Sequence, residues 1–243
     1  MTYCVGLKLS RGLMFLSDTR TNAGVDNISR FRKQFTWSVP GERALVLMTA
    51  GNLATTQSVV SLLEERTKAP SDRRPSMLEL PTMFQIARHV GETLKEVIHS
   101  SAVSGQSADS SFNSTLILGG QVKGMEPRMF MIYPEGNFIE ASDDTPFFQI
   151  GETKYGRPIL VRAYDPNMAI EDAAKLLIVS FDSTIKANLS VGLPLDMQVI
   201  ERDTLRLGPS KRIEADDPYY QTISNGWGNA LKRAFDSLPP FTF

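Results

Sequence analysis

Hydrophobic and polar residues alternate from the start of the chain, with Tyr3, Val5, Leu7 and Leu9 on one face of an extended segment. Ser10-Arg11-Gly12 interrupts the alternation and the apolar run Leu13 to Leu16 follows, so the pattern predicts a β-hairpin. A hairpin folded about Arg11 pairs Thr2 near Arg20 and Cys4 near Asp18, placing Asp18 diagonally across from Thr2. A third strand is expected from Phe31 to Val39, where Phe31, Lys33, Phe35 and Trp37 share a face and Lys33 is the one polar member of that row. The nearly unbroken apolar run Ala44 to Ala50 predicts a central buried strand ending at Gly51, ahead of a helix over Leu53 to Thr67.

Helical spacing of Met83, Ala87, Val90, Leu94 and Val97 predicts a second helix from Pro81 to Ile98. Ser100 to Asn113 is serine-rich and poor in apolar residues, which predicts a surface loop. Strands are expected again at Ser114 to Leu118, Arg128 to Tyr133 and Phe147 to Ile150, with Pro134-Glu135-Gly136-Asn137 as a turn. Asp165-Pro166-Asn167 introduces a helix from Met168 to about Thr184, and Met197 to Arg202 reads as a late strand. A last helix is expected to start with Asp217 as cap and Pro218 in the first turn, turning Tyr220, Ile223, Trp227, Leu231 and Phe235 toward a core or a partner. Strands, two helices, strands and helices in that order describe an α+β chain whose helices cover a two-sheet core. Neither a repeat nor a linker divides it, so residues 1–243 are expected to form one domain, with 203–243 a C-terminal extension packed on it.

Composition narrows the function classes. At 243 residues, 42% hydrophobic and 22% charged, the chain can build an extensive core. Its 26 basic and 27 acidic residues leave no electrostatic case for a nucleic-acid or membrane partner. Cys4 is the only cysteine, so an intrachain disulfide is impossible, and a reducing, cytoplasmic setting is expected. The first residues lack the charged and apolar regions of a signal peptide, and no stretch has the length of a membrane span. His89 and His99 fall in or beside one expected helix and neither has a plausible Ser or Cys partner, which argues against a His-dependent triad or a His-rich metal site.

The candidate chemistry lies at the N-terminus. Removal of Met1 ahead of the small Thr2 would free an α-amine that can act as base for the Thr2 hydroxyl, provided that a nearby cation keeps the amine neutral. Lys33 is the candidate cation, Asp18 its counter-charge, and Gly51, between a strand and a helix, a candidate oxyanion donor. Singly, each has an ordinary explanation: Asp18 as a turn residue, Lys33 as part of a solvated patch with Arg30 and Arg32, and Thr49 to Gly51 as tight strand-helix packing. Their order, spacing and strand face agree as a set.

At these residues the chain resembles the β-type subunits of the proteasome, which are N-terminal nucleophile hydrolases. Thr2, the segment SDTRTNAG from Ser17, Lys33 and Ala50-Gly51 carry the resemblance, continued by STLILGG from Ser114 and YPEGNF from Tyr133, through about Glu201. The start MTYCVGLKL and the segment SDTRTNAGVDNISRFRK look like the bacterial ancestral β-subunit group Anbu. The resemblance implies a four-layer αββα sandwich, Thr2 as nucleophile and base, Asp18 and Lys33 as its support, and Gly51 as oxyanion donor. It also implies a cofactor-free and metal-free hydrolase that assembles with itself into open or helical rings and acts on peptides or unfolded proteins; an ATP-driven unfoldase is left open. Arg20, within the matched segment, is a supporting residue.

The chain departs from the family at two places. Glu152, in Gly151-Glu152-Thr153, replaces a serine, and Lys186-Ala187-Asn188-Leu189-Ser190 retains a serine at Ser190 but carries no Asp, so Glu152, Asn188 and Ser190 join the supporting set. Besides a threonine peptidase, the sequence leaves room for an amidase acting on a small modified peptide and for a ring-forming scaffold of muted activity.

Overall fold

The computed structural model describes residues 2–22, 28–68, 75–102 and 112–243. Strands and helices are numbered in chain order. One antiparallel sheet runs β10 (Phe147–Gly151), β1 (Tyr3–Leu9), β2 (Gly12–Asp18), β11 (Leu195–Glu201) and β12 (Ser210–Ile213). The second runs β5 (Gln34–Val39), β6 (Arg43–Gly51), β7 (Ser114–Val122), β8 (Arg128–Ile132) and β9 (Phe138–Glu140). A short ribbon pairs β3 (Arg20–Asn22) with β4 (Ile28–Arg30).

Each sheet is apolar on both faces because each is covered twice. Cys4, Leu13 and Phe15 of the first sheet meet Val46, Met48, Ile117 and Met129 of the second between the layers. On the outer side of the second sheet, Leu45, Leu47, Leu116 and Phe130 pack under α1 (Leu53–Thr67) and α2 (Met83–Ala102). On the outer side of the first, Tyr3, Val5, Leu7 and Leu16 pack under α3 (Arg157–Ala163), α4 (Ile170–Ala187) and α5 (Pro218–Asp236). The result is the expected four-layer αββα sandwich of α+β class. No helix among the described residues is long and apolar enough to cross a membrane.

Several boundaries move. Cys4 faces Ser17, not Asp18, because the hairpin closes with the two-residue loop Ser10–Arg11, which suits the strand twist. The expected third strand starts late: Phe31 to Lys33 lies outside any strand and β5 begins at Gln34, while Ile28–Arg30, ahead of the expected strand, pairs with β3. The second helix begins at Met83, with Thr82 Oγ1 accepting from Gln85 N, and runs on through Ser100 and Ser101, whose hydroxyls bond back to Val97 O at 2.9 Å each. Thus the expected Ser100–Asn113 loop starts as helix; residues 103–111 lie outside the described residues. α4 starts at Ile170 rather than Met168, because Asp165 spends its carboxylate on the Asn167 N–H in a turn. β11 spans Leu195–Glu201 rather than Met197–Arg202, following its pairing with β2, and β9, β12 and α3 have no counterpart among the expected elements. α5 starts as expected, Asp217 Oδ1 accepting from Tyr220 N at 3.0 Å.

Candidate active site

The end of β2 carries Asp18 into the interior beside the start of β1. Its side chain is fully buried; Oδ1 accepts from Lys33 Nζ at 2.8 Å and from Tyr3 N at 3.0 Å, and Oδ2 from Gly192 N at 3.4 Å. Burial pushes the Asp18 carboxyl above its usual range, against the pull of the Lys33 ammonium and the two backbone donors. Lys33 is only 4% exposed, so the solvated-patch explanation fails for it. Its ammonium also donates to Arg20 O at 2.5 Å, and its own carbonyl accepts from Thr49 N at 2.9 Å. A charge this far from water is stable only with such a ring of partners.

Thr2, also buried, immediately precedes the Tyr3 N–H that Asp18 accepts. Its carbonyl takes a 2.6 Å hydrogen bond from Glu152 N. Gly151, at φ +83°, lets the end of β10 come this close: a Cβ there would lie 1.9 Å from Thr2 O. Gly51 ends β6 at φ +119°, directly before Asn52, which caps α1 by accepting from Thr55 N. Two residues earlier on β6, the Thr49 N–H donates to Lys33 O and its carbonyl accepts from Cys4 Sγ at 3.7 Å. Burial pushes the Cys4 thiol up, so Cys4 is a packed hydrophobe rather than a competing nucleophile.

The supporting residues form a connected second group. Asn188 Nδ2 donates to Glu152 Oε2 at 2.9 Å, and Asn188 Oδ1 accepts from Ser190 N at 3.0 Å and Ser190 Oγ at 2.6 Å. Arg20 donates to Leu189 O at 2.9 Å, and its guanidinium packs on Gly192, bracing the loop whose N–H reaches Asp18. Sequence reasoning missed Gly192, which carries no local signal, and the polar role of Tyr3, read only as a core position. The Tyr3 hydroxyl accepts from Gln149 Nε2 at 2.6 Å and bonds Ser180 Oγ at 2.8 Å, anchoring β1 to α4; burial pushes it up to about 12. Among the described residues no group of three His, Cys, Asp or Glu is placed to hold a metal ion.

The αββα sandwich brings a buried lysine–carboxylate pair beside Thr2 at the start of β1. The proteasome subunit family model matches residues 2–200, and the chain belongs to that family. Within it the chain is similar to Anbu from Hyphomicrobium sp. strain MC1, at 50% identity with 99% of this chain and 100% of that one covered and a TM-score of 0.91. It is also similar to the chain in the helical assembly of the Anbu complex from Pseudomonas aeruginosa, at 45% identity, 99% and 98% coverage and a TM-score of 0.92. Proteasome subunit beta 2 of Pyrobaculum calidifontis is 23% identical over 205 residues, 83% of this chain and 90% of its own length.

Proposed function

We propose that this chain is a threonine-type peptidase whose nucleophile, Thr2, is exposed by removal of Met1. The α-amine, ordinarily titrating near ~8, takes the Thr2 hydroxyl proton as that oxygen attacks a peptide carbonyl. The Lys33 ammonium disfavours a second positive charge on the amine and stabilises the developing alkoxide, while Asp18 fixes the ammonium in place. The backbone N–H of Gly51 receives the oxyanion. Collapse of the tetrahedral intermediate returns the proton to the leaving amine and leaves an ester on Thr2, which water then hydrolyses. One observation carries this reading: the buried Lys33–Asp18 pair bonded to the N–H of the residue after Thr2.

The relative from Pseudomonas aeruginosa forms a helical assembly. For this chain we propose self-association of the same kind, in the cytoplasm, with peptides or unfolded proteins as substrate. Thr2→Ala is expected to remove turnover of an unfolded protein while the particle keeps its mass in light scattering; retained turnover would reject Thr2 as nucleophile. The second reading, a scaffold of muted activity, is favoured by Glu152, a carboxylate where the family resemblance implies a serine; it predicts that Thr2→Ala changes nothing.

A further inference from the structure

α5 begins in the body of the protein and leaves it. Tyr220 is buried and Ile223 packs on the core beneath, yet farther along the same stripe Leu231 is half exposed and Phe235 is 75% exposed. Beyond the helix, Leu238, Phe241 and Phe243 are all exposed. Phe241 and Phe243 form an edge-to-face pair, with ring centroids 4.9 Å apart, that is largely open to solvent. Pro239 and Pro240 fix the backbone just before them, so the arm is stiff and loses little freedom on docking.

The same helix borders an open groove of about 640 Å³, of a size usual for ligand sites, between α3, α4 and α5. Ile159, Ala163, Leu176 and Val179 line one side and Trp227 and Ala230 the other. The Trp227 indole N–H is buried without an acceptor among the described residues. An arm containing two prolines offers carbonyl oxygens with few N–H groups of its own, which complements that donor. The helix carries the arm about 9 Å past Ala230 before it ends, away from the groove of its own chain.

We infer that residues 238–243 of one copy seat in the α3–α4–α5 groove of a second copy, with Phe241 and Phe243 as anchors. The area is adequate: Phe241 and Phe243 bury on the order of 300–500 Å², the groove surface they cover about as much again, and two copies exchanging arms double that, reaching the roughly 1,200–2,000 Å² of a stable interface. The inference deepens the self-association proposed above and rests on it.

Cys4 is buried, so introduced cysteines can be read against a silent background. Ala163→Cys in the groove and Thr242→Cys in the arm are placed on separate copies of the full chain, co-expressed and treated with a short bismaleimide. The expected result is a covalent dimer joined through 163 and 242, absent from either variant alone. A chain ending at Ser237, and separately Ala230→Trp, which fills the groove but keeps the arm, are each expected to weaken association at least 100-fold in light scattering while the near-UV circular dichroism of a folded chain is kept. An assembled protein with no 163–242 link, a link formed only within one chain when both cysteines share it, or association indifferent to both changes would overturn the inference while leaving self-association standing. A monomer with its arm intact would overturn both.

Discussion

The Asp18–Lys33 corner and the end of α5 invert the usual partition of residues in opposite ways. At the corner, a carboxylate and an ammonium lie in the interior, where charge is costly, each surrounded by donors or acceptors. At the far end of α5, leucine and phenylalanine lie in water, where they gain nothing. Neither arrangement helps one copy of the chain to fold. The corner makes sense if a reaction needs a fixed positive charge beside Thr2, and the arm if a second copy covers it; the corner concerns chemistry within a chain, the arm contact between chains.

Changes at the corner separate these roles, and Thr2→Ala has the largest expected effect: turnover falls by 10³-fold or more, on the order of 4 kcal/mol, while circular dichroism and particle mass stay the same. Lys33→Met comes next. It strands the Asp18 carboxyl, so stability should drop by about 3–5 kcal/mol in denaturant titration. Its pH dependence has a definite sign: Asp18 already titrates above the ordinary range, and removal of the ammonium lifts it further. The folded state then holds a proton that the unfolded chain has released. The Lys33→Met protein should therefore be most stable in acid and lose stability as pH rises from the ordinary carboxylate range through the folded Asp18 value. Asp18→Asn together with Lys33→Met should abolish that slope and recover part of the loss.

Glu152→Gln tests the second group. The Glu152 N–H already holds the Thr2 carbonyl, so removing the carboxylate's negative charge should move the acid limb of the rate profile to lower pH. A profile that stays in place would assign Glu152 a purely backbone role. The smallest effect belongs to the arm's own helix: Asp217→Ala deletes its N-cap and should cost about 1 kcal/mol, with turnover unchanged.

The parts of this arrangement visible in the sequence are those set by local pattern. Alternation placed β1, apolar runs placed β2 and β6, the helix after Gly51 was bounded at Leu53 and Thr67, and Lys33 stood out as a polar residue in an apolar row. Tertiary contacts set what was misplaced. The hairpin register depended on one residue of loop length, and the third strand starts only at Gln34 because Lys33 turns to Asp18 instead of extending the row. Glu152 and Asn188 are 36 positions apart, and no local rule pairs them; only the family resemblance marked them, and the hydrogen bond joins them. The apolar stripe of α5 was legible, but not where it leaves the core.

The most direct test of the central claim is the intact mass of the purified protein before and after an electrophile selective for N-terminal threonine, with the adduct mapped by peptide sequencing. Loss of Met1 and a single adduct on Thr2, abolished by Lys33→Met, is the predicted result. A retained Met1, or a free Thr2 that never reacts, would contradict it.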